Sequence, residues 1–287
     1  MTTYDLGDRV PLRHKVYDAA GQYADATVAL TLYAPDGTIS TPAITRTSTG
    51  VYDAAPLADQ VDSWQYRWDV SGAVPEDVVW GAYDVGNPAP PLYVGLDLFR
   101  STVDRPDTDT GRDFYMTMCL DAASRGADAY CGGRQFWRDR IASTRVFRAR
   151  GRVDASDSDG ELIIVDDIAS TVDMVVEVGD GTTWIQVADY DTEPENALAK
   201  RRPINALRRR GGRWSSYRFV RVTARWGWPA VPAAVIQATQ IQASRLYKRR
   251  TSPEGVTGTA EWGVVRLAKI DPDVQALLAD LQLPSIG

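Results

Sequence analysis

The chain has 287 residues, of which 44% are hydrophobic and 24% charged, and a formal net charge of −6. That is enough apolar material for one large or two medium domains, and no apolar run approaches the ~20 residues a membrane-crossing helix needs. The opening Met1-Thr2-Thr3-Tyr4-Asp5 has neither a basic nor an apolar leader region, so the expectation is no signal peptide, synthesis in a cytoplasm and no membrane partner.

Residues 4–86 read as all-β. Val10, Leu12 and Val16 alternate with polar neighbours, as do Val28, Leu30 and Leu32, and then Trp64, Tyr66, Trp68 and Val70. Period-two patterning with short turn signals such as Pro35-Asp36-Gly37 predicts antiparallel strands with one buried face, and six or seven of them fit a small immunoglobulin-like sandwich. Alternation places Trp64, Trp68 and Trp80 toward its core. A stiff linker at 87–95, opened by Asn87-Pro88-Ala89-Pro90-Pro91, should end this domain.

Helices are expected over about 96–131, with Tyr115, Met118, Cys119, Ala122, Gly126 and Ala129 on one face and Gly132-Gly133 as the stop. Pro106-Asp107-Thr108-Asp109 offers the turn before the longer one. Residues 134–227 return to β: runs near 145–150, 161–165 and 217–224, and a hairpin of Val175-Val176-Glu177-Val178 and Thr183-Trp184-Ile185 about Gly179-Asp180-Gly181. Two further helices are expected, about 232–250, stopped by Ser252-Pro253-Glu254-Gly255, and about 272–281, capped by Asp271-Pro272-Asp273 and ended by Pro284 and Gly287. The fold class is thus multidomain: a β-sandwich, then an α-helical core with an inserted antiparallel β region.

No catalytic constellation emerges. His14, the single histidine, alternates with Leu12 and Val16 and reads as a sandwich filler, with no base-and-orienter pair around it. Cys119 and Cys131 lie twelve positions apart on one expected helix. At ~1.5 Å per residue that is too far for a disulfide, so both should be reduced and buried. One histidine and two distant cysteines make no zinc site. Asp157-Ser158-Asp159-Gly160-Glu161 has Ala155 where a calcium loop needs an acid, so a polar hairpin turn is expected. Asp166-Asp167 read as solvated turn acids, and no metal or cofactor is expected.

The polar signal that stands out is charge asymmetry. Residues 1–110 are acid-rich, whereas 197–253 contain no acid at all. Arg201, Arg202, Arg208, Arg209, Arg210, Arg213, Arg218 and Arg221 fall in that acid-free window, interleaved with Trp214, Tyr217, Phe219 and Trp226. They are candidates for a DNA-facing surface or for an interface with acids of a neighbouring subunit.

The run Arg225-Trp226-Gly227-Trp228-Pro229, followed by the helix through Lys248-Arg249-Arg250, resembles the head-to-tail connector (head-completion adaptor) proteins of long-tailed, siphovirus-type phages of actinobacteria. Leu120-Asp121-Ala122-Ala123-Ser124-Arg125 with Tyr130-Cys131-Gly132, Arg202-Pro203-Ile204, and Val264 with Asp271-Pro272-Asp273-Val274 agree in order over about 93–281. The resemblance implies a virion structural protein that forms a ring, commonly of twelve copies, at the portal vertex or neck. It would be assembled in the host cytoplasm, contact the portal protein and a stopper or tail-completion protein, and surround double-stranded DNA. It further implies portal contact through Val274, Leu277, Leu278, Leu281, Leu283 and Ile286. The N-terminal sandwich departs from that family's usual pattern. A second reading is a tail or baseplate scaffold whose sandwich binds a surface glycan or protein; exposed aromatics on one sheet face would favour it.

Overall fold

The computed structural model describes residues 2–72, 74–103, 110–154, 159–249, 256–257, 265–266 and 271–283. The turn at 106–109, Asp157 and Ser158, the stop at 252–255, and Arg250, Val264, Pro284, Ile286 and Gly287 lie outside the described residues. The chain divides into two compact units, Met1–Pro90 and Pro91–Gly287.

The first unit is built from β1 (Thr3–Asp5), β2 (Leu12–Lys15), β3 (Thr27–Tyr33), β4 (Ile39–Ser40), β5 (Thr45–Ser48), β6 (Val51–Ala54), β7 (Asp62–Ser71) and β8 (Asp77–Gly86). They form a five-stranded sheet in the order β1-β8-β7-β3-β4 and a three-stranded sheet β2-β6-β5. One core joins the two. Leu30, Leu32, Trp64, Trp68, Val70, Tyr83 and Val85 of the larger sheet meet Leu12, Tyr52 and Ala54 of the smaller. A fully buried side chain of this kind contributes about 1.5–3 kcal/mol. Period-two alternation therefore does the work expected of it in β3 and β7.

Trp80 departs from the expectation. Antiparallel register sets Val79 opposite Trp68 and Trp80 opposite Arg67. The core-facing residues of β8 are thus the odd-numbered ones, and Trp80 stands 55% exposed. Gly81 is required on the inner side, because a Cβ there would lie 2.2 Å from the ring of Tyr66.

The second unit begins inside the expected linker, since Tyr93 and Val94 are buried. It contains α1 (Leu96–Thr102), α2 (Asp113–Tyr130), β9 (Ser143–Arg148), β10 (Val153–Asp154), β11 (Leu162–Gly179), β12 (Trp184–Gln186), β13 (Tyr190–Glu193), β14 (Ile204–Arg209), β15 (Phe219–Trp226), α3 (Ala233–Arg249), a short β16–β17 pair (Val256–Thr257, Val265–Arg266) and α4 (Pro272–Leu278). The expected runs at 161–165 and 175–178 are one continuous strand, β11, which pairs with β14 through its first part and with β15 through its second. Register shifts between those parts bend it. The resulting sheet, β13-β14-β11-β15-β9 with β10 and β12 added on β11, encloses a core supplied by its own strands and connections. A helical core with a β insertion is therefore the wrong emphasis: the sheet is the larger body, and the helices form a small cluster with separate cores.

The helix α2 is also rotated from expectation. It buries Met116, Cys119, Leu120, Ala123, Ser124 and Ala127. Met118, Ala122, Gly126 and Ala129 face solvent instead, in line with Phe114. Both stripes are apolar at helical spacing, so periodicity alone does not choose between them. The larger side chains of Met116 and Leu120 settle it by filling a core with Phe99 and Ala243.

His14 supplies a test of the first unit. Its ring stacks on Trp68 at 5.5 Å, and burial pushes its pKa down while Asp77 opposes in part. The unfolded histidine, near ~6.5, then protonates before the folded one as pH falls. The stability this confers is complete above the unfolded value and erodes as pH drops through it. Unfolding free energy of the first unit should fall between pH 7.5 and 5.5, and the His14→Phe variant should lose that slope; chemical denaturation across pH measures both.

Candidate functional site: the basic sheet and the arginine–tryptophan junction

The acid-free window does not make a bare basic face. Antiparallel pairing sets Asp191 opposite Arg208 and Glu177 opposite Arg221. Arg208 donates to Glu193 at 2.9 Å, Arg209 meets Asp189 at 3.0 Å, and Arg210 lies 3.4 Å from Asp191. Arg221 binds Glu177 through two hydrogen bonds of 2.7 and 2.6 Å, which hold the Glu177 carboxyl below its ordinary range. Arg225 donates to Asp173 at 2.9 Å. The compensating acids lie earlier in sequence, at 173–193, and only the strand register brings them across.

Among the described residues five arginines of the window are exposed: Arg201, Arg202, Arg213 and Arg218, and Arg210 beside Asp191. Arg213 lies toward Glu161. Burial alone would raise that carboxyl's pKa, but the Ser215 hydroxyl and N–H together with Arg213 hold it low. Arg148 and Arg150, absent from the sequence-based set, join the cluster: a recess of about 560 Å³ is lined by Arg148, Arg150, Arg218, Tyr217, Val153 and Glu161. The backbone bond from Ala149 N–H to the Arg218 carbonyl, 3.2 Å, draws the two segments together. Among the described residues Arg148, Arg150, Arg201, Arg202 and Arg218 make no ion pair. Sequence reasoning missed Arg148 and Arg150 because they lie outside the acid-free window and reach Arg218 only through the β9–β15 register.

The Arg225-Trp226-Gly227-Trp228-Pro229 run joins sheet to helices. Trp226 is buried in the sheet core, donates to the Ser143 carbonyl at 2.8 Å and carries the Arg145 guanidinium 4.4 Å from its ring centre. Gly227 takes φ +97°, and a Cβ there would sit 1.7 Å from the Trp137 carbonyl oxygen, so only glycine fits. The turn delivers Trp228 into the helical core beside Phe136, Val235 and Val274.

Beneath Trp228 lies a buried ion pair. Arg134 and Asp167 are joined by two hydrogen bonds of 2.8 and 2.7 Å, with side chains only 9% and 8% exposed. Asp167 also accepts from the Trp228 indole at 2.9 Å, and Arg134 donates to the Leu281 carbonyl at 3.0 Å. Asp167 is therefore not a solvated turn acid. Its neighbour Asp166, on the other face of the strand, pairs with Arg145 at 2.8 Å.

The structure places the described residues of the expected portal-contact segment as follows. Val274 and Leu278 are buried in the helical core, with Leu277 and Leu281 packed against it. Val274 and Leu278 thus stabilise the fold, Leu277 and Leu281 remain part-exposed, and Leu283 is 44% exposed. Cys119 and Cys131 are buried and unbridged, and burial pushes the Cys131 thiol up to about 11. Among the described residues no group of three or more His, Cys, Asp or Glu side chains could hold a metal ion, and no helix is long and apolar enough to cross a membrane.

Two measurements follow from these contacts. Removing one partner of a buried pair leaves the other uncompensated, at about 3–5 kcal/mol. Arg134→Ala should destabilise the second unit by that order in urea unfolding, whereas Arg218→Ala should change it by less than about 0.5 kcal/mol. On immobilised heparin, Arg148→Ala and Arg218→Ala should each lower the eluting salt concentration, and Arg221→Ala, whose charge Glu177 already balances, should lower it less.

No family model matches the chain, and no curated protein matches it. Among solved structures it is similar to the Lin-41 filamin domain, at 15% identity and TM-score 0.26, covering 30% of this chain and 85% of that one. A DUF4785 family protein from Legionella pneumophila shares 14% identity at TM-score 0.27, covering 77% of this chain and 44% of that one. The Bacteroides ovatus glucan-utilisation protein SGBP-B, solved with a mixed-linkage heptasaccharide, shares 10% identity at TM-score 0.21, with 77% and 50% covered. Likenesses of this strength carry no functional argument.

Proposed function

We propose that this chain is a head-to-tail adaptor of a long-tailed phage virion, a structural subunit that assembles as a ring between the portal and the stopper or tail and extends the DNA channel. It acts by assembly and not by catalysis. In this reading the first unit is an immunoglobulin-like sandwich appended to the adaptor domain.

The observation that carries the reading is the unpartnered stripe on α2. Phe114 is 80% and Met118 54% exposed, and Ala122, Gly126 and Ala129 continue the line. A monomer seldom leaves such a stripe open, whereas a ring buries it against the next copy. Small residues at Ala122 and Gly126 allow a neighbouring backbone to come close. Beside them a cleft of about 70 Å³ runs between α2, α3 and α4, lined by Tyr130, Ala238, Gln242 and Val274. The unpaired arginines at 148, 150 and 218 around the recess supply a second contact, matched to DNA phosphates or to acidic residues of the portal, and Arg201 and Arg202 stand apart from it.

A tail or baseplate scaffold is the second reading. The surface position of Trp80 favours it, because a binding role for the first unit requires exposed aromatics.

Imaging of the portal vertex in assembled particles by electron cryo-microscopy separates the two. The expected result is a ring of this chain on the tail side of the portal, with α2 in the subunit contact. The position of Arg148 and Arg218 then shows whether DNA or portal meets the basic recess. Phe114→Asp should abolish ring formation while shifting unfolding free energy by less than about 0.5 kcal/mol. Location on spikes or a baseplate, or absence from the particle, would sink the adaptor reading.

A further inference from the structure

The outer face of the five-stranded sheet in the first unit carries an ordered set of side chains that the core does not use. Register places Tyr33 on β3 beside Gln65 on β7 and Ala82 on β8, and Thr31 beside Arg67 and Trp80. One step further, Ala29, Asp69 and Val78 share a row. The Tyr33 and Trp80 rings meet across β7 with centroids 5.4 Å apart and planes 26° from parallel. The Arg67 guanidinium lies 5.6 Å from the Trp80 ring centre and donates to Asp69 at 2.9 Å. Trp80 remains 55% and Val78 56% exposed despite these contacts.

We propose that this face is a carbohydrate-binding platform, built for a chain of uncharged pyranose residues. The exposed indole of Trp80, with the half-buried Tyr33 ring stacked beside it, offers apolar surface to the C–H face of a sugar ring. Gln65, Arg67 and Asp69, planar and adjacent, offer both donors and acceptors to its hydroxyls. Charge selects against a polyanion: residues 1–90 hold twelve acidic and five basic side chains, and Arg67 itself is balanced by Asp69. Beside Trp80 the polar Thr31, Gln65, Arg67 and Asp69 alternate with the apolar Tyr33 and Val78, a mixture that suits the alternating hydroxyl and C–H surfaces of a sugar chain. The platform lies open on the sheet surface, so the ligand is an extended polymer and not a monosaccharide held in a pocket. The proposal is compatible with either reading of the function, provided that this face stays uncovered in the particle.

Native affinity electrophoresis of the full chain tests it, in gels containing laminarin, dextran, xylan or galactan. Retardation by at least one of these polymers is expected. Trp80→Ala should weaken that retardation about tenfold, equivalent to ~1.4 kcal/mol. Tyr33→Ala should weaken it measurably, and Tyr23→Ala, which alters the exposed Tyr17–Tyr23 pair elsewhere in the unit, should leave it unchanged. Trp80 is a surface residue, so near-ultraviolet circular dichroism should show each variant folded. No retardation by any of the four polymers, or retardation that survives Trp80→Ala, overturns the proposal. So does burial of Trp80 against another protein in assembled particles, which would make this face a protein contact.

Discussion

Much of the second unit depends on one buried ion pair. Arg134 follows the end of α2, Asp167 lies within β11, Trp228 leads into α3, and Leu281 follows α4. Two charges in an apolar interior are costly unless their hydrogen-bonding capacity is filled. Here the carboxylate accepts from Arg134 and from the Trp228 indole, and the guanidinium also reaches a backbone carbonyl and stacks 5.2 Å from the Trp228 ring centre. The requirement to satisfy both charges fixes four segments at once. A sheet that encloses its own core has little reason to hold a helical cluster at a defined angle. The pair and the Trp226-Gly227-Trp228 turn beside it supply that reason, with one indole in each core.

The same logic accounts for what was legible in the sequence. Alternation along β3 and β7 reports a one-sided environment directly, so Leu30, Trp64 and Trp68 were readable as core. In β8, four consecutive residues, Asp77 to Trp80, are exposed, and phase had to come from the partner strand; Trp80 was consequently placed on the wrong side. The two apolar stripes of α2 pose the same problem with period 3.6, because the choice depends on which stripe the other helices cover. The acids at Asp166 and Asp167 look alike in sequence, yet adjacent strand positions send one to a surface arginine and the other into the interior. Long-range register decides each of these cases.

Charge shows the largest gap between a linear and a folded reading. A window of the chain with no acid invites the picture of a basic face, but a hairpin folds acids from 173–193 onto it. What stays uncompensated is a smaller set, of which Arg148, Arg150 and Arg218 line one recess while Arg201 and Arg202 lie toward the other end of β15. Such a set has a definite geometry, which a diffuse basic stripe lacks. It suits a ligand with fixed anionic spacing better than general attraction to negative surfaces.

The path of the chain through the helical cluster has a further implication for biogenesis. Cys131, at the end of α2, meets the carbonyl of Leu278, a residue 147 positions later. A ribosome delivers α2 and the whole sheet well before it delivers α4. During that interval the cleft that Val274 and Leu278 will fill is open, and the exposed stripe of α2 lies next to it. The nascent chain therefore presents a wider apolar surface than the folded one, narrowing only when α4 docks. Order of synthesis keeps the apolar surface of α2 from taking its final extent until α4 has docked.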